Sequence, residues 1–125
     1  MSESPMFERD LARLIGACEA GLDLPGVLTA AGEAVRDALS ATSAAAYALS
    51  EDGAELALVW GDGPKTLAAP GLEPVLVGGR ALLPLVSARR SLGCIVAEGV
   101  GDQAGLTRAR IAAGIAAQAV EASRL

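Results

Sequence analysis

Two cysteines, fifteen carboxylates, ten basic side chains and no histidine are the ionisable groups from which this 125-residue chain could build chemistry. Cys94 sits in Leu92-Gly93-Cys94-Ile95-Val96. As a functional thiol it would do redox or covalent-attachment chemistry, which needs an electropositive, partly exposed site. Its apolar neighbours favour a small buried hydrophobe instead, and Cys18, on an apolar helical stripe, reads the same way. Without histidine, the usual base near neutral pH is missing, and the chain also lacks asparagine. Glu51-Asp52 and Asp62 are carboxylates beside glycines, with no third ligand, so turn chemistry accounts for them. Arg80 follows Gly78-Gly79 and could hold an anion; a solvated charge is the simpler reading, as it is for Arg89-Arg90. No nucleophile–base pair, metal-ligand cluster or phosphate-binding loop is visible. The expectation is a chain that is not an enzyme and holds no cofactor or metal.

Composition narrows the partners. A net charge of −5 argues against nucleic acid, because phosphate binding needs a basic face. One Trp, one Tyr and one Phe are too few to stack bases along a strand. No apolar run approaches the roughly 20 residues of a membrane span. Two cysteines without framework spacing fit a reducing cytoplasm. The length suits one domain, and the 52% apolar content rests largely on 27 alanines, which let backbones approach closely and leave little room for a large cavity.

The elements follow from periodicity. Residues 1–6 are polar and are expected to fray, with a single domain over 7–125. Phe7, Leu11, Leu14, Ile15, Cys18 and Leu22 form a helical stripe that ends near Gly21. A second helix opens at Asp23-Leu24-Pro25 and buries Val27, Leu28, Ala31, Val35, Ala38 and Leu39, with Glu33, Arg36 and Asp37 toward water. Residues 43–49 and 55–60 read as strands joined at Asp52-Gly53. Ala44, Ala46 and Ala48 make one flat face; Ala45, Tyr47 and Leu49 make the larger one. Residues 61–79 read as loop, with Val75-Leu76-Val77 a short strand or packed segment. Residues 81–98 read as a hairpin turning at Ala88-Arg89-Arg90-Ser91, apolar on both faces and so covered on both. Leu83 and Leu85 share one face there; Leu92, Cys94 and Val96 share a face of the return strand. Pro84 removes a ladder donor and implies an edge or bulge. A last helix starts at Leu106-Thr107, a staple and cap, and runs to Leu125 along Ile111, Ile115, Gln118 or Ala119, Ala122 and Leu125. Ala112, Ala113, Ala116, Ala117 and Val120 widen its apolar surface.

In order and residues, the chain resembles a GAF domain. The resemblance rests on Leu-Asp-Leu-Pro-Gly-Val-Leu at 22–28, Ala-Tyr-Ala-Leu-Ser-Glu-Asp-Gly at 46–53, Leu-Pro-Leu at 83–85, Ser-Leu-Gly-Cys-Ile-Val-Ala at 91–97 and Ala-Ala-Gln-Ala-Val-Glu-Ala-Ser-Arg-Leu at 116–125. It covers nearly the whole chain from about residue 8. It implies an α+β fold: an antiparallel sheet with the N- and C-terminal helices on one face and a small-molecule pocket on the other. Three departures follow. The covering segment shrinks to Gly61–Gly79, too short to wrap a haem or bilin. The Asn-Lys…Phe…Asp-Glu constellation of the cyclic-nucleotide branch is absent. The two cysteines do not match the clustered set of the GAF-like methionine sulfoxide reductases.

The expected role is therefore a bacterial, cytoplasmic, non-catalytic regulatory domain that works in signal transduction as a homodimeric interaction module. Its interface is expected on Leu11, Ala112, Ala113, Ala116, Ala117 and Val120, with a signalling protein as a further partner. The alternative is a small-molecule sensor whose reduced pocket is lined by Tyr47, Trp60, Leu83, Leu85 and Cys94.

Overall fold

A computed structural model describes residues 5–19, 24–49, 55–68, 71–87 and 89–123. The elements run α1 (Pro5–Glu19), α2 (Leu24–Ala38), β1 (Ser43–Leu49), β2 (Glu55–Gly61), β3 (Thr66–Ala68), β4 (Val75–Val77), β5 (Arg80–Ser87), β6 (Arg90–Glu98), a single 3-10 turn (Gln103–Gly105) and α3 (Leu106–Ser123). The six strands form one sheet in the order β3-β2-β1-β6-β5-β4, every neighbouring pair antiparallel. This is the expected α+β architecture.

Alanine favours helix by propensity, yet Ala44, Ala45, Ala46 and Ala48 lie in a strand. Pairing on both sides and burial override the preference, with β2 on one flank and β6 on the other. The flat face predicted for Ala46 and Ala48 lies toward the helices. α2 and α3 pack directly on the sheet, while α1 rests chiefly on α2 and α3. The main core joins Leu14 of α1, Leu28 and Val35 of α2, Ile95 of β6, Leu83 and Leu85 of β5, and the alanines of α3. Burying one such leucine contributes about 1.5–3 kcal/mol.

Three boundaries differ from the sequence reading. α1 begins at Pro5, inside the segment expected to fray; residues 1–4 lie outside the described set, as do the helix stop at Gly21 and the cap at Asp23. The loop expected over 61–79 contains β3 as well as β4, and these lie at opposite edges of the sheet. α3 starts at Leu106, as expected, but the capping side chain in front of it is that of Asp102. Its carboxylate accepts a hydrogen bond from the Ala104 N–H at 3.0 Å and caps the 3-10 turn that leads into the helix. The β5–β6 turn is shorter than expected: Ser87 pairs with Arg90, and Arg89 takes the left-handed conformation at φ 65°. The Asp52-Gly53 turn lies outside the described residues.

Candidate functional site

The sheet itself decides which of the expected ligand residues can meet. Tyr47 pairs with Cys94 across β1–β6, and Cys94 pairs with Pro84 across β6–β5, so these three share the face away from the helices. Leu83 pairs with Ile95, and Ile95 with Ala46; this row, with Leu85, faces the helices. A pocket combining Tyr47, Cys94, Leu83 and Leu85 would have to pass through the sheet. The structure brings Tyr47 and Cys94 together and separates them from the two leucines.

Trp60 is displaced by a bulge. Simple alternation from Leu56 and Leu58 puts Trp60 on the Tyr47 face. The register runs Tyr47 to Leu58 and then Ala46 to Trp60, leaving Val59 as an extra residue. One inserted residue moves every later side chain to the opposite face. Trp60 therefore packs toward α2, where its ring lies so close to Gly32 that a Cβ there would collide with it. The Arg36 guanidinium lies 6.0 Å from the ring centroid, in cation–π range. A second irregularity lies opposite Leu85 and Val86, which pair with Gly93 and Ser91 and leave Leu92 unopposed. Leu92 joins the helix-side core instead of sharing the face of Cys94 and Val96.

On the far face, Tyr47 and Cys94 are 1% and 0% exposed, packed with Ala45, Leu56 and Val96 under Leu49, Leu58, Leu67 and Leu82. The Tyr47 hydroxyl donates to the Pro64 carbonyl at 2.9 Å, which ties the 61–68 segment down on this side. Burial, then the neighbouring Cys94, raises the Tyr47 pKa. Burial pushes the Cys94 thiol up to about 11, so it is a protonated, packed hydrophobe. Cys18 is also raised, by burial and then by Glu19, and it lies against the helix-side core across the sheet from Cys94.

The covering segment has little slack. From Ala68 on one edge strand to Val75 on the other is seven residue steps, at most about 25 Å of chain. Six strands set five spacings of about 4.8 Å, or about 24 Å along a flat sheet. Such a connection can join the two edges of a curled sheet but cannot also arch into a deep lid.

The expected interface residues are mostly internal. Ala112, Ala113, Ala116, Ala117 and Val120 are buried within the protomer, where α3 meets α2 and β5. The small-residue surface therefore serves intramolecular helix–sheet packing and is not available to a second copy. Leu11 is half-buried on α1. What reaches solvent is the stripe thought to point inward: Ile111 at 48%, with Ile15 of α1 at 40%. The reason is size. Alanines let α3 approach the sheet closely, and Ile111 is left outside while Ile115 is only half-buried.

An open groove of about 160 Å3 lies between α3 and β5, lined in part by Leu83, Pro84, Val86, Arg110, Ala113 and Gly114. β4 pairs only with residues 80–82 of β5, so the outer side of β5 beyond Leu82 has no strand partner and tolerates Pro84. Two of the three basic residues singled out earlier are engaged: Arg80 pairs with Glu98 at 3.0 Å and Arg90 with Glu121 at 3.4 Å, both at the surface. Among the described residues no group of His, Cys, Asp and Glu could hold a metal, and no helix is long and apolar enough to cross a membrane.

One group was missed. Asp10 is only 5% exposed, at the seam of α1 with α2, and its Oδ2 has no hydrogen-bond partner among the described residues. Burial, then the nearby Asp37, raises its pKa from 3.8 to about 7. Its position was legible: 7, 10, 11 and 14 are spaced i, i+3, i+4, i+7, so an acid occupies the buried stripe. Asp37, expected to face water, has a side chain only 18% exposed.

No protein-family model matches the chain, and no curated protein matches it significantly. Solved structures match over nearly its whole length. The free methionine-R-sulfoxide reductase of Neisseria meningitidis is 18% identical, with 99% of this chain and 95% of that one covered and a TM-score of 0.74. The GAF domain of a phosphoenolpyruvate-protein phosphotransferase from Coxiella burnetii is 14% identical, with 94% of each chain covered and a TM-score of 0.73. The GAF domain of the potassium sensor histidine kinase KdpD of Escherichia coli is 17% identical, with 92% and 93% covered and a TM-score of 0.66. With its strand order and its helices packed on one face, this chain folds as a GAF-like domain.

Proposed function

We propose that the chain is a non-catalytic regulatory domain of bacterial signalling, acting as a homodimeric interaction module through α1 and α3. The observation that carries this reading is that α1 and α3 each leave a branched apolar side chain in solvent, Ile15 and Ile111, with the alanines of α3 buried beneath. Ile111 and Ile15 stand on two helices that pack together, and Leu11 and Ile115 lie half-buried on the same two helices. Exposed branched residues of this kind favour association with a matching helical surface. Several of the similar structures are domains of sensor kinases, which supports the signalling context. The reductase among them is the argument for an enzyme. Against it stand the two thiols of this chain, both raised in pKa and placed on opposite sides of the sheet. A cytoplasmic location fits both free cysteines.

The test is the mass of the intact protein in native mass spectrometry at low micromolar concentration. A dimer is expected in the wild type and a monomer with unchanged far-UV circular dichroism in Ile111→Glu, because that side chain is half exposed. A monomeric wild type, or a variant that stays dimeric, rejects this interface.

Small-molecule sensing is the second reading, and the groove beside β5 favours it more than the far face does. Apolar residues with Arg110 alongside suit a small amphiphile with an anionic group. A retained mass of a few hundred daltons per chain in the same spectrum would put this reading first.

A further inference from the structure

The outward face of α1 carries opposite charges at its two ends in an order that matches its own reverse. Asp10, Leu14 and Ala17 are buried against the rest of the fold. The opposite side of the helix carries Arg9, Ala12, Gly16 and Glu19, spaced i, i+3, i+7, i+10 and all exposed. Positions 9 and 19 lie equally far from position 14, and so do positions 12 and 16. A two-fold axis passing beside position 14 sets Arg9 of one copy level with the partner's Glu19, and Ala12 level with the partner's Gly16. Among the described residues no ion pair engages Arg9 or Glu19, whereas Arg13 is held by Glu33 of α2 at 3.0 Å.

We propose that two copies of this chain pair through α1 in antiparallel order about position 14, with Arg9 and Glu19 exchanged across the seam at both ends. This rests on the homodimeric reading above and gives it an orientation. A parallel pairing of the same face sets Arg9 against the partner's Arg9 and Glu19 against the partner's Glu19, so like charges oppose it. Glu8 is level with the same end and adds a carboxylate there, which Arg9 offsets.

The middle of the face has room for the approach. A Cβ added at Gly16 would meet nothing within 4 Å, and Ala12 contributes only a methyl group, so two backbones can come close there. Ile15, 40% exposed, stands one residue from the axis, on the flank it shares with Leu11 and Cys18. The two-fold brings like flanks together. The two Ile15 side chains then stand about 3 Å apart along the helix axes, and each covers the other from water.

The experiment is sedimentation equilibrium of the whole chain at low salt, with far-UV circular dichroism as the check on folding. The proteins are the wild type, Arg9→Glu, Glu19→Arg, the double reversal and Gly16→Leu. Each single reversal sets like charges opposite one another at both ends and should weaken the dimer about tenfold. The double reversal restores the matched order and should return to within about threefold of the wild type. Gly16→Leu favours the helix and finds open space in the protomer, yet holds two copies apart, so a folded monomer is expected. A double reversal no tighter than the single ones overturns the antiparallel order. So does a Gly16→Leu protein as dimeric as the wild type. A dimer split by Ile111→Glu but indifferent to all four α1 variants overturns this pairing and leaves the homodimeric reading standing. A monomeric wild type overturns both.

Discussion

The two faces of the sheet are built on different principles. Toward the helices, alanines dominate: those of α2 and α3 meet Ala46, Ala81 and Ala97 of the strands, with a few leucines as fillers. Close backbone approach makes this side rigid to insertion. On the far face a single tyrosine, a cysteine and a handful of aliphatic residues form a smaller cluster, held by one hydroxyl bond to Pro64. The helix side is dense because its residues are small; the far side closes because a few large residues fill it.

The strongest way to break that contrast is to charge the dense side. Ala116→Glu places a carboxylate at a position with no exposure and should cost about 4 kcal/mol or more, leaving the chain unfolded by circular dichroism at 25 °C. A variant that folds normally would show that α3 has slack against the sheet. A matched pair of truncations sharpens the comparison next. Leu83→Ala on the helix side should cost about 3–5 kcal/mol in urea, because its rigid surroundings cannot collapse into the space. Leu56→Ala on the far face should cost nearer 2 kcal/mol, because the smaller cluster can settle. Equal losses would mean the faces do not differ in compliance. The smallest effect is Tyr47→Phe, which removes only the bond to the Pro64 carbonyl and should lower stability by about 1 kcal/mol. A neutral result would mean that packing alone closes the far side.

Much of this was readable in the chain. The apolar runs located β1, β2, β5 and β6, and the alternation at 43–49 placed Ala46 and Tyr47 on the correct faces. The failures have specific causes. Val59 and Leu92 are bulge residues, and a bulge leaves no mark in a hydrophobic pattern while reversing the side chains beyond it. That is why Trp60 was grouped with Tyr47. The outward position of Ile111 was misread because hydrophobicity ranks isoleucine above alanine, whereas the fit of α3 to the sheet selects for small size. β3 was missed because three residues carry too little period to distinguish a strand from a loop. Asp10 was visible as a break in a stripe, but its burial depends on how α1 packs on α2.

The contact between Trp60 and Gly32 has a practical consequence. Trp60 is the sole tryptophan, and its ring lies against the helix that carries Asp37. Its intrinsic emission is therefore an optical probe of one seam. A red shift would register α2 lifting from β2, with no dye or label added. Motion confined to the far face would leave the spectrum unchanged.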